Sequence, residues 1–171
     1  ECAPILTFLD WKTHKNAVET GDIEVLRSAG RAIVGLDLKI TGYNGEELTL
    51  GEVGEVTVRG PQVSIGYLNR PEENKQSFKK GWFYTGDVGR MDENGIIYLL
   101  DRKKDMIVSG GENIYTSEVE AVLYQHPDIQ ECAVVGIPDE KFGEALFAAI
   151  VVSSGKTLNQ TDVIKHCRDK I

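Results

Sequence analysis

Five consecutive charges, Asp101-Arg102-Lys103-Lys104-Asp105, separate two apolar stretches and divide the chain into parts with different patterning. A charge run alone reads as a solvated turn. Between two patterned bodies it also reads as an exposed joint. Before it, Leu36, Leu38 and Ile40 alternate with Asp37 and Lys39, and Val56 and Val58 with Thr57 and Arg59, the period of half-buried strands. Asn44-Gly45 predicts a type I′ hairpin, because both residues tolerate positive φ. Residues 62–68 read as a short strand bent at Gly66. Residues 71–78 read as a helix with Pro71 in its first turn and two acids behind it. Residues 88–91 and 96–100 form a hairpin around Asp92-Glu93-Asn94-Gly95. Short strands and turns over residues 30–100 predict a small distorted barrel or sandwich. Residues 1–30 show no clear period beyond the Thr20-Gly21-Asp22 turn signal.

After the charge run, residues 106–108 and 114–115 flank Ser109-Gly110-Gly111-Glu112. Ser117-x-x-Glu120 reads as a capping box opening a helix with Val119, Val122 and Leu123 on one face, stopped by Pro127. Residues 132–137 and 144–152 read as buried strands. Asn159 or Thr161 caps a last helix carrying Val163, Ile164, Cys167 and Ile171. Two helices with two to three strands make a small α+β domain. The fold class is therefore α+β, a distorted barrel subdomain followed by a small α+β domain.

Of 171 residues, 41% are hydrophobic and 27% charged, an ordinary globular composition that excludes disorder as the main state. No apolar run reaches the roughly 18 residues of a spanning helix. With 19 basic and 27 acidic residues the net charge is −8, which argues against nucleic acid as an electrostatic partner. Cys2, Cys132 and Cys167 are odd in number and form no C-x-x-C pair, so they read as core thiols of a reducing cytosol. The chain starts at Glu1 without a signal segment and stops at Ile171 on an apolar helical face, so it is expected to be a piece of something longer.

Few residues suggest chemistry. Asp87 follows Gly86 and could accept hydrogen bonds from the two hydroxyls of a ribose diol, or cap its own turn. Gly110-Gly111 could admit close approach of a ligand, or form an ordinary hairpin turn. No G-x-x-x-x-G-K-[ST] phosphate loop is present. Arg102, Lys103 and Lys104 could meet phosphates or ribose oxygens. There is no Ser/His/Asp arrangement. The residues alone reach no further than a two-part soluble protein, with a nucleotide link and ordinary turns both open.

Three segments go further: GEVTVRGPQVSIGYLNRPEEN at 54–74, GWFYTGDVGRMDENGIIYLLDRKKDMIVSGGENIYTSEVE at 81–120, and CAVVGIPDEKFGEALFAAIVV at 132–152. Their content and order resemble the adenylate-forming, AMP-binding enzymes, and the SGGEN version is most similar to fatty-acyl and other acyl-CoA synthetases. The resemblance implies a ligase reaction in which ATP and a carboxylic acid give an acyl-adenylate and pyrophosphate, and coenzyme A then releases AMP. It implies that residues 1–103 end a large N-terminal domain with its barrel subdomain. Residues 104–171 would be a truncated, mobile C-terminal domain. Asp87 and Arg102 match ribose-binding positions, Lys104 the hinge, and Gly110 and Gly111 the coenzyme A tunnel. Glu1 matches a glutamate that helps hold magnesium and phosphate. The family's phosphate loop would lie upstream of Glu1 and its catalytic Lys beyond Ile171. No catalytic residue is therefore expected within the chain, which should be inactive alone. The implied partners are ATP or AMP, Mg2+, coenzyme A and a small carboxylic acid, in the cytoplasm, without nucleic acid or integral membrane, with homo-oligomerisation left open. The rival functions are a non-catalytic nucleotide-binding module and an adenylating enzyme that loads a carrier-protein thiol.

Overall fold

In the computed structural model, which describes residues 1–168 and 170–171, the unpatterned first thirty residues hold two helices. After strand β1 (Thr7–Phe8), helix α1 (Trp11–Thr20) starts at Asp10, whose carboxylate accepts the Thr13 N–H at 3.0 Å. Helix α2 (Ile23–Leu26) starts at Asp22, which accepts the Val25 N–H. Of α1 only Ala17 is buried, so no apolar stripe announced it. Strand β2 (Arg31–Ala32) pairs with β1.

The chain divides into two units, Glu1–Lys103 and Lys104–Ile171, in a mixed α/β arrangement with several sheets. In the first, β3 (Asp37–Thr41), β4 (Gly54–Arg59), β5 (Phe78–Lys79), β6 (Trp82–Met91) and β7 (Ile97–Arg102) form one antiparallel sheet. Strand β4 lines one edge of β6, while β5 pairs with the start of the other edge and β7 with its end. The expected distorted barrel is corrected to an open sheet, because no pairing among the described residues closes the ladder. Leu36, Ile40, Val56, Val58, Phe83 and Ile97 form its core, with Cys2 packed against them.

Two local expectations change in this unit. Asn44 does not take positive φ. Gly45 alone does, at 79°, with Gly45 N–H donating to Gly42 O and Gly42 N–H to Glu46 O. This is a longer loop closed by one left-handed residue, not the two-residue type I′ turn. Residues 62–68 form no strand beyond an isolated Cys2–Val63 bridge. The Asn74 side chain takes the place of a strand partner, accepting from Tyr67 N–H and donating to Tyr67 O. Asn74 itself stands on helix α3 (Pro71–Ser77), which forms where Pro71 and its two acids predict it.

In the second unit, β8 (Ile107–Ser109), β9 (Glu112–Ile114), β10 (Ile129–Asp139) and β11 (Gly143–Val152) form a four-stranded sheet ordered β10-β11-β8-β9. Ile107, Val119, Leu123, Ile129 and Val134 make its core, and Cys132 and Cys167 pack on it. Helix α4 (Thr116–Leu123) starts with Tyr115 at its N-cap and no side-chain cap. The cap falls at Tyr115, two residues ahead of the expected Ser117, which stands inside the helix, and the Glu120 carboxylate accepts the Val134 N–H at 2.9 Å and ties α4 to β10. Asn159 is the residue that caps helix α5 (Gln160–Arg168), accepting the Asp162 N–H at 3.0 Å.

Candidate functional site

Strand β6 carries the candidate site through a break in its ladder with β4. Glu55 pairs with Val88 and Thr57 with Tyr84, so Thr85, Gly86 and Asp87 stand opposite Val56 alone. Such a bulge re-aims the side chains it contains. Gly86 permits it with φ of 76°, a value L side chains rarely adopt. The Thr85 hydroxyl clamps the bulge, donating to Val56 O at 2.9 Å and accepting the Asp87 N–H at 3.0 Å. The Tyr84-Thr85-Gly86-Asp87 segment, expected between two strands, therefore lies inside one.

Across the β6–β7 ladder Asp87 pairs with Arg102, and Arg102 Nε lies 3.0 Å from Asp87 Oδ1. Two predicted residues far apart in sequence are thus neighbours. Arg102 also lines a cleft of about 360 Å³ with Glu1, Glu55, Tyr67, Thr85, Gly86 and Lys103. Glu1 accepts a hydrogen bond from the Tyr67 hydroxyl at 3.0 Å. Burial, and then the Glu1 carboxylate, push the Tyr67 phenol above its ordinary value. The cleft is lined mainly by hydrogen-bonding donors and acceptors of both charges and is partly open to solvent. As a magnesium ligand Glu1 offers one carboxylate. No group of three or more His, Cys, Asp or Glu converges among the described residues, so these side chains do not by themselves form a cation site.

The family model for the AMP-binding enzyme C-terminal domain matches residues 118–171. The 2-succinylbenzoate–CoA ligase of Bacillus licheniformis is 44% identical over 149 residues, 87% of this chain and 30% of that protein. A long-chain-fatty-acid–CoA ligase of Mycobacterium tuberculosis is 42% identical over 144 residues, 84% of this chain and 28% of that protein. The chain belongs to the AMP-binding enzyme family.

Solved structures agree with the family assignment. An amide bond synthetase from Marinactinospora thermotolerans superposes with a TM-score of 0.81 at 37% identity, over 97% of this chain and 33% of its own. The o-succinylbenzoate CoA synthetase of Bacillus subtilis, solved with its acyl-adenylate intermediate, gives a TM-score of 0.80 at 38% identity, over 92% of this chain and 31% of its own. The chain thus spans about 30% of the length of the CoA ligases it matches.

The remaining predicted residues lie in the second unit. Lys104 is its first residue and is exposed. Gly110 and Gly111 form the two-residue turn of the β8–β9 hairpin, with φ of 60° and 91°. Gly110 N–H donates to Phe142 O, and a Cβ on Gly110 would stand 3.2 Å from the Phe142 ring, whereas one on Gly111 would meet nothing. Sequence reasoning missed Glu55 and Tyr67 as site residues. Both lay in a quoted segment, but no local pattern separated them from its other polar residues.

Proposed function

We propose that this chain belongs to an ATP-dependent acid–coenzyme A ligase. An oxygen of a small-molecule carboxylate attacks the α-phosphorus of ATP, the Pα–O–Pβ bond breaks, and pyrophosphate leaves. The sulfur of the coenzyme A thiolate then attacks the acyl carbon of the adenylate, its bond to the phosphate oxygen breaks, and AMP leaves. Asp87 accepts hydrogen bonds from the two ribose hydroxyls. Arg102 holds Asp87 by their ion pair and donates to a ribose oxygen. Lys104 acts as the hinge between residues 1–103, the end of a larger N-terminal domain, and residues 104–171, a mobile C-terminal domain. Gly110 and Gly111 leave room for the narrow arm of coenzyme A. The setting is cytoplasmic.

The observation that carries this reading is the Asp87–Arg102 pair, 3.0 Å apart beside a polar cleft, in a chain 44% identical to a CoA ligase. Isothermal titration with AMP tests it. Asp87→Asn and Arg102→Met should each weaken AMP by roughly tenfold or more, and an unchanged affinity in both would overturn the ribose assignment.

A second reading follows from the amide bond synthetase among the structural neighbours. There the acceptor is an amine, and the acyl carbon passes to nitrogen rather than sulfur. Acceleration of AMP release from the intact protein by coenzyme A favours the thiol; acceleration by amines alone favours the amide.

A further inference from the structure

Beneath the candidate ribose pair lies a carboxylate that the proposed reaction does not use. Glu55 is the second residue of β4, next to the β6 bulge, and its side chain is only 11% exposed. Both its oxygens are engaged. Oε1 accepts the Gly86 N–H at 3.1 Å, and Oε2 accepts from Lys103 Nζ at 2.8 Å. The ring closes through the backbone, where Lys103 N–H donates to Gly86 O at 2.7 Å. Gly86 directly precedes Asp87, and Lys103 directly follows Arg102. The ring therefore brackets both members of the ion pair.

We infer that Glu55 is a positioning residue of this site, locking the Gly86 bulge to Lys103 so that Asp87 and Arg102 are presented together. The inference rests on the nucleotide reading of Asp87 and Arg102. Its physical basis is that this pair, with Lys103 46% and Glu55 11% exposed, is partly screened by water and contributes little net stability. What it does supply is direction. A bulge opened by glycine is soft, and a two-oxygen clamp removes that freedom before the ligand arrives. A displacement of about 1 Å at such a site can cost up to a hundredfold in function.

The experiment compares Glu55→Ala, Glu55→Gln, Lys103→Met and Asp87→Asn in the intact protein. It measures AMP affinity, the backbone amide resonances of Gly86 and Asp87, and thermal unfolding. Glu55→Gln keeps an oxygen for Gly86 N–H but loses the charge opposite Lys103, and it decides the question if Glu55→Ala does not fold. Glu55→Ala should weaken AMP by roughly tenfold and shift the Gly86 amide. Glu55→Gln and Lys103→Met should each weaken AMP by less, with a double variant no worse than either alone, as expected for one shared interaction. A purely structural role would lower the unfolding temperature and leave AMP affinity unchanged in the folded protein. AMP affinity unchanged in the Glu55 variants while Asp87→Asn weakens it would overturn the positioning role. Unchanged affinity in Asp87→Asn would overturn the nucleotide reading beneath it.

Discussion

At the scale of single residues, exposure separates binding from stability. The Asp87 and Arg102 side chains are 33% and 57% exposed, so their ion pair is screened by water. Such pairs contribute about 0–1 kcal/mol to folding. Asp87→Asn should therefore change the unfolding free energy by less than about 1 kcal/mol in urea titrations, while AMP binding falls. A larger loss would mean the carboxylate is a structural cap after all. Asp87 could be named as a candidate from sequence because it follows a glycine and its carboxylate could match a diol. Glu55 was not, because its two partners are 31 and 48 residues away in sequence.

At the scale of elements, the ends of helices and hairpins carry the consequences. The Thr13 hydroxyl and N–H, with a smaller effect of Arg31, hold the Asp10 carboxyl below the usual carboxylate value. A depressed carboxylate stabilises the folded state above its unfolded value of about 3.9 and loses that contribution as pH falls through the folded value. Amide protection factors in residues 11–20, taken relative to intrinsic exchange, should therefore hold at neutral pH and fall as pH drops below about 4. Asp10→Asn should flatten that dependence. In the β8–β9 turn, alanine at Gly110 or Gly111 enters positive φ and should cost about 1–2 kcal/mol by thermal denaturation. Only Gly110→Ala should also shift the Phe142 ring resonances, since only its Cβ would reach that ring. A ring equally displaced by Gly111→Ala would contradict this geometry. The helices and hairpins expected from period and proline were found where apolar alternation was regular. The cap of α4 lies two residues ahead of the expected Ser117, and Glu120 meets the Val134 N–H of a strand, a long-range partner that no local motif can reveal.

At the scale of the whole molecule, each unit has its own core. Ile97 and Ile107 are each 1% exposed, one in each cluster or packed at its heart. Truncation of either to alanine should cost about 2–5 kcal/mol, the transfer loss plus the cavity left behind. Hydrogen exchange should show protection lost within 1–103 for Ile97→Ala and within 104–171 for Ile107→Ala. Protection lost equally over the whole chain in both variants would show a single cooperative body instead.

Composition, strand period and the order of three segments were enough to read an α+β chain resembling the AMP-binding family and to name Asp87, Arg102 and the glycine pair as candidates. A period of two tells which face a side chain takes, and a segment's identity tells which relatives share it. Neither tells which strand lies alongside. Tertiary structure decided that the sheet stays open, that the glycine-bearing segment runs through one strand, and that Asp87 faces Arg102 across a ladder. It also decided that Glu55 sits beneath them. The reason is that register between distant strands is set by side-chain packing and by backbone hydrogen bonds across the sheet, interactions with no local trace in the sequence.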